Sequence, residues 1–344
     1  MTARRPPIKQ PGVKITVHIG LEKTGTTTIQ GFLNRQRDAL LEGGVLFPVA
    51  PGKSNQTLLA AAAMAGDVNI RARALKTLGP DFAAELATKL RAEIDEAQPR
   101  RLLFSNEHCS SRLHTVEEVQ RLRDFLAQFG DEMVILVYLR RQDEFLLSTY
   151  STSVKSGSVK PFAIPRGRKL HARYDYRVLL ELWVGVFGQD AMRPRLFQPS
   201  SWIGGDLLTD FCDAAELDIS EREAPTRNLS LSAEGLELVR LLNKQSGGER
   251  DGSVVRAVGK LTEGPKLSLS TATRREFMRH FEASNRWVAQ TFFGRDQLFD
   301  DVREGVTETL SPEISEERFA ELRQAIEAET GGKAPGRRAR AHAE

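Results

Sequence analysis

Cysteine is nearly missing from this sequence. Only Cys109 and Cys212 occur among 344 residues. Two thiols cannot build a disulfide framework or a four-thiolate zinc site. They point to a reducing compartment, and the cytoplasm is the expected location. Long apolar runs are missing too. The longest, LLAAAAMA at 58–65 and MVILVYL at 133–139, fall well short of the ~20 residues that span a bilayer. No integral membrane segment is expected. The opening MTARRPPIKQPGVK carries basic residues with no apolar stretch behind them, so it does not read as a signal peptide. Neither sign of charge dominates: 49 Lys and Arg face 46 Asp and Glu, a net +3. That is too balanced for a dedicated nucleic-acid binder. No His, Cys, Asp or Glu spacing reads as a metal site, and none is expected.

What is present reads as an α/β protein. VKITVHIG (13–20) is a β-rich, apolar run, as a buried strand should be. A polar loop, LEKTGTTT (21–28), follows it. A helical stripe of Ile29, Phe32, Leu33, Leu40 and Leu41 comes next. Residues 54–98 are helical in character, with Phe82, Leu86, Leu90 and Ile94 on one face. RLLFSNEH (101–108), EMVILVYLRR (132–141) and RPRLFQ (193–198) are further strands. The second of these is apolar on both faces, as an interior parallel strand requires. Helices are expected over 115–129, 176–188, 205–215, 232–244, 273–293 and 312–329. The last is read with Ser311 as N-cap and Pro312 at its first position. The expected architecture is a P-loop-type three-layer α/β fold around a central parallel sheet, followed by a mostly helical part. The division runs as a disordered lead (1–12), the α/β core (13–225), a helical part packed on it (226–330) and a disordered basic tail (331–344).

Residues 151–175 stand apart. Lys155, Lys160, Arg166, Arg168, Lys169 and Arg173 oppose one acid, Asp175, and Gly and Pro punctuate the run. It reads as a long, positively charged loop, suited to draw in an acidic acceptor or nucleotide. A charge run of this kind is as often only a solvated face.

The unit strand, Gly-containing loop, helix at 13–41 is the opening of a P-loop domain. Gly20 and Gly25 stand five apart, followed by Thr26, Thr27 and Thr28. A helix N-terminus with unpaired amides makes an anion cradle, and the threonine hydroxyls add donors. The lysine of a nucleotide-triphosphate loop would follow Gly25; here the lysine precedes it, at Lys23. HIGLEKTGTTTIQ closely resembles the 5′-phosphosulfate loop of PAPS-dependent sulfotransferases. The matching run is Lys23-Thr24-Gly25-Thr26-Thr27, with Glu22 where the family has proline. The same family pairs an Arg at a strand end with a Ser eight residues on, at the 3′-phosphate. Arg140 and Ser148 have that spacing, and Arg141 is the alternative if the register shifts by one. Read without the family, Arg140 and Arg141 before Asp143 and Glu144 are a solvated ion-pair cluster. The likeness covers residues 13–200 and is greatest to the bacterial and glycan-type members. The basic closing motif of the phenol and steroid enzymes is not evident.

The resemblance implies sulfuryl transfer from PAPS to a hydroxyl, giving PAP and a sulfate ester, with no metal required. Carbohydrate or glycoconjugate acceptors, including acidic glycans and lipid-linked sugars, are the expected partners. Lys23 is then placed to stabilise the leaving oxygen. Loop residues Thr24, Gly25, Thr26, Thr27 and Thr28 bind the cosubstrate with Arg140 and Ser148. The strand end SNEHC (105–109) offers the base. His108 has the right intrinsic pKa, Glu107 is its rival, and members of the family use either type. On a strand, Cys109 would face away from His108. His18 reads as a structural residue. Two alternatives stay open: a P-loop kinase or NTPase with Glu107 near Mg²⁺, and a nucleotide or polyanion binder without catalysis.

Overall fold

The computed structural model describes residues 12–65, 70–167, 170, 173–219, 230–302 and 304–331. Arg168, Lys169, His171 and nearly all of the proposed lead and tail lie outside them. The expected architecture is present: five parallel strands flanked by helices. The strands are β1 (Lys14–His18), β2 (Val45–Leu46), β3 (Arg101–Ser105), β4 (Glu132–Leu139) and β5 (Met192–Leu196). They lie in the order β2-β3-β1-β4-β5, and every pairing is parallel. Residues Ile15, Val17, Leu136 and Tyr138 are fully buried. Apolar character on both strand faces follows from cover on both sides.

The order has a functional consequence. From β1 the chain goes to β2 and β3 on one side, then crosses to β4 on the other. Loops leaving β3 and β4 therefore part from one another beside the loop leaving β1. This is the topological switch point, and the crevice at the carboxyl ends of the strands there is where such sheets bind ligands.

Helix α1 (Thr26–Arg35) follows the β1 loop and buries Ile29, Phe32 and Leu33. Each such side chain removed from water contributes about 1.5–3 kcal/mol. These residues pack with Leu207, Leu208 and Phe211 of the helix Leu207–Ala214. α2 (Arg37–Glu42) buries Leu40 and leaves Leu41 exposed, so the expected stripe is one residue too wide. The stretch 54–98 divides into α3 (Thr57–Ala63), α4 (Ile70–Leu78) and α5 (Phe82–Ala97). Phe82, Leu86, Leu90 and Ile94 are all buried on α5, as their spacing predicts. α6 (His108–Arg112) is a short turn after β3. α7 (Val116–Leu126) opens with a reciprocal capping box between Thr115 and Glu118.

The chain clusters into two compact units. One comprises Met1–Arg140, Leu170–Pro225 and Ala283–Phe299, and holds the sheet. The other comprises Arg141–Lys169, Thr226–Glu282 and Asp300–Glu344. The second has its own core, in which Tyr150 and Val154 pack with Leu236, Leu242, Val258 and Ile326.

The structure corrects several expectations. α8 (Gln142–Lys155) runs through 142–154 as that sequence allows, so the loop reading of 151–175 applies only beyond its first five residues. The final helix begins at Glu316 with Ser315 as its N-cap, not Ser311 with Pro312. The Ser315 side chain accepts from the Arg318 amide, the bond that defines the cap. The stretch 273–293 is broken into Thr271–Arg279 and Glu282–Phe293. A helix at Gly252–Leu261 is additional.

Candidate functional site

The loop between β1 and α1 is shaped by three residues with positive φ. Gly20 has φ 49°, Lys23 68° and Gly25 75°. A lysine in the left-handed region is uncommon and is held there by its surroundings. Thr24 is fully buried, and its hydroxyl donates to the Leu21 carbonyl at 2.6 Å. Gly25 stands at the N-cap of α1, with no side chain bonded across the helix end. A Cβ on Gly25 would lie 2.4 Å from Leu207 Cδ2 and 3.0 Å from the Phe197 ring. Only glycine fits. The Leu207 and Phe197 side chains thus pack directly against the glycine at the start of the helix, whose first amides have no intrahelical partner.

The three threonines of the first turn differ. Thr26 is buried, and its Oγ1 donates to Glu107 Oε2 at 2.7 Å. Thr27 is exposed and Thr28 half-buried. Arg140, one residue past β4, donates through Nη1 to the Lys23 carbonyl at 2.9 Å. Its guanidinium also lies 5.3 Å from the centroid of the Phe197 ring. The Arg140 carbonyl in turn accepts from the Tyr176 hydroxyl. Lys23 is held below the usual lysine range by burial, and Arg140 adds to this; Glu107 and Glu22 pull the other way. Glu22, in the position the family fills with proline, is ion-paired with Arg173.

Arg141 is engaged elsewhere. Its guanidinium binds Asp143 at 2.8 Å, and Arg274 binds the same buried carboxylate at 2.7 Å. The ion-pair reading of the double arginine therefore describes Arg141, while Arg140 belongs to the loop. Ser148 lies half-buried on the second turn of α8, in the other unit.

The end of β3 is fixed by residues that pattern reading does not reveal. Gln56 accepts from the Ser105 amide at 2.8 Å, and its carbonyl accepts from Asn106 Nδ2 at 2.7 Å. Asn106 Oδ1 accepts from the His108 amide at 2.8 Å. These bonds set Glu107 and His108 beside the β1 loop. His108 is held below the usual histidine range by burial, with Arg112 adding to the shift and Glu107 and Glu22 opposing it. Its Nδ1 is buried without a hydrogen-bond partner. Burial pushes the Cys109 thiol up to about 12, so it is not a nucleophile. Burial is the reason, and strand alternation is not, since His108 and Cys109 lie on the helical turn α6. His18 is fully buried. Its Nδ1 meets Ser105 Oγ at 2.9 Å and its Nε2 has no partner.

Two cations, a helix N-terminus and a neutral imidazole thus gather at the switch point of a parallel sheet. Such an arrangement can bind an anion, support charge on a departing oxygen and accept a proton. Among the described residues, no group of three or more His, Cys, Asp or Glu is placed to hold a metal ion. No described helix is long and apolar enough to cross a membrane.

No family model matches the chain. An uncharacterized protein of Archaeoglobus fulgidus is 26% identical over 202 residues, which cover 54% of this chain and 52% of that protein. The chain thus spans about half the length of the curated relative it matches. Among solved structures, a sulfotransferase from Alicyclobacillus acidocaldarius is 14% identical, with a TM-score of 0.39 over 72% of this chain and all of that one.

Proposed function

We propose that this chain is a PAPS-dependent sulfotransferase acting on a hydroxyl of a carbohydrate or glycoconjugate, in the cytoplasm. The observation that carries the reading is the Lys23-Thr24-Gly25-Thr26-Thr27 loop, closed on glycine at a helix N-terminus with Arg140 bonded to its Lys23 carbonyl. The residues fit a phosphosulfate. Gly25, packed against Leu207 and Phe197 at the helix N-terminus, lets the loop turn tightly, and Lys23 and Arg140 bring two positive charges to that loop. PAPS contributes an activated sulfuryl group, whose bond to the 5′-phosphate oxygen breaks as the acceptor oxygen bonds to sulfur. Lys23 supports the charge left on that phosphate oxygen. His108 is the group to take the acceptor's proton, since its lowered pKa keeps the imidazole neutral at neutral pH. Thr24, Thr27 and Thr28 shape or line the loop, and Arg140 would engage the 3′-phosphate. Two buried cysteines, too few for a disulfide framework, favour a reducing compartment.

The basic residues Lys160 and Arg166 support an acidic acceptor. The test is incubation with sulfur-labelled PAPS and matched acidic and neutral glycans. Labelled sulfate ester with stoichiometric PAP is the expected result, greater for the acidic set. PAP binding without transfer to any acceptor would leave a non-catalytic nucleotide binder.

A further inference from the structure

We propose that Glu107 is a positioning residue for the phosphate loop, acting through the Thr26 hydroxyl, and not the base that deprotonates the acceptor. This rests on the reading of that loop as a nucleotide site.

The Thr26 hydroxyl has one proton, and at 2.7 Å it is given to Glu107 Oε2. Thr26 is 3% exposed and Glu107 half-buried, and a hydroxyl donating to a carboxylate is a charge-assisted bond. Asn55 Nδ2 approaches the other carboxylate oxygen, Oε1, at 3.5 Å. Partners from two segments, the start of α1 and the chain before α3, therefore orient the carboxylate. Its main chain is gripped as well: the Glu107 carbonyl accepts from Ser111 Oγ at 3.1 Å, while the Ser110 hydroxyl donates to the Gly20 carbonyl of the loop. The loop packs against the same residue. A Cβ on Gly20 would lie 3.1 Å from Glu107 Cα and 2.8 Å from Thr26 Cγ2. Thr26 is the first residue of α1, so fixing its side chain fixes the turn whose amides form the cradle.

The test is calorimetric PAP titration of the full chain and its variants, with turnover measured on each. Glu107→Ala and Thr26→Val are each expected to weaken PAP about tenfold, the scale of one charge-assisted hydrogen bond. The double variant is expected to be no worse than the poorer single, because both remove the same bond. Thr26→Ser and Glu107→Gln each keep the bond and are expected to stay within about threefold of the parent in PAP affinity. Asn55 Oδ1 is buried and unpartnered, so a flipped Asn55 side chain can accept from the carboxamide that Glu107→Gln introduces. Turnover of Glu107→Gln is expected to fall less than about tenfold, well under the 10²–10⁴ of a lost general base. Parent-like PAP affinity in Glu107→Gln with a base-sized loss of turnover would overturn the proposal, as would additive losses in the double variant. A folded parent that binds no PAP would instead remove the nucleotide reading, and this inference with it.

Discussion

Arg140 Nη1 donates to the main-chain oxygen of Lys23 at 2.9 Å, joining the end of β4 to the loop after β1 across 117 residues of sequence. The bond brings a guanidinium to the loop that presents an ammonium group. Burial holds Lys23 below its usual range and the like charge of Arg140 adds to this, against the pull of Glu107 and Glu22. An anion bound at the helix N-terminus offsets the two positive charges.

Lys23→Ala is expected to reduce turnover by about 10²–10³, the usual effect of removing one donor to charge that develops in the transition state. PAP affinity is expected to change less, since the product complex lacks the reacting sulfuryl group. Single-turnover rates beside calorimetric affinities separate the two. Equal losses in both would make Lys23 a binding residue only.

Arg140 and Arg141 are expected to part company. Arg140→Ala should weaken PAP by about 1.5–3 kcal/mol, the range for hydrogen bonds to charged groups, with a smaller effect on AMP. Arg141→Ala removes one of two cations from the buried Asp143, so it should lower stability by about 2 kcal/mol. Its effect on PAP should be slight. Urea unfolding and PAP titration on both variants check this, and a large loss of PAP affinity in Arg141→Ala would reverse the assignment.

Gly25→Ala tests the cradle. A Cβ there meets Leu207 at 2.4 Å and the Phe197 ring at 3.0 Å, at φ 75°. Overpacking and strain together should cost about 1–3 kcal/mol. Thermal unfolding should show the loss as a lowered Tm, accompanied by weaker PAP binding. An unchanged Tm would mean that the loop relaxes freely around a methyl group and that its shape does not depend on glycine.

Much of the fold is legible in sequence because buried strands and amphipathic helices carry their own periods. The Phe82, Leu86, Leu90, Ile94 stripe is one case, and the doubly apolar β4 is another. β2 escapes because two residues, Val45 and Leu46, carry no period. The helix Gly252–Leu261 escapes because glycine opens it and Gly259 interrupts it, so tertiary packing of Val254, Ala257 and Val258 overrides propensity. The break near His280 has no proline or glycine to announce it. The loop residues are readable as a motif, and the strand end at Arg140 as a position. The Thr26–Glu107 bond is not readable, because it joins residues 81 apart. Nor is the role of Gln56, a buried polar side chain whose partners lie at the end of β3.

His18 sets a pH dependence of stability. Burial lowers its pKa from 6.5 to about 3. Between those values the unfolded chain takes up a proton that the folded chain refuses, so stability falls as pH falls below 6.5. The slope for this one group approaches about 1.4 kcal/mol per pH unit and vanishes above 6.5. His108, also lowered by burial, contributes with the same sign. Urea unfolding from about pH 7 to 5, a range above most carboxylate titration, should show His18→Gln with a flatter stability profile than the parent. Parallel profiles would mean that His18 is protonated when folded.

The most direct test is a calorimetric titration of the full chain with PAP, AMP and ATP–Mg²⁺ under one set of conditions. The account predicts that PAP binds, that AMP binds at least about tenfold more weakly for want of a 3′-phosphate to engage Arg140, and that ATP–Mg²⁺ does not displace PAP. ATP–Mg²⁺ binding as tightly as PAP, in competition with it, would contradict the account and make this loop a triphosphate site.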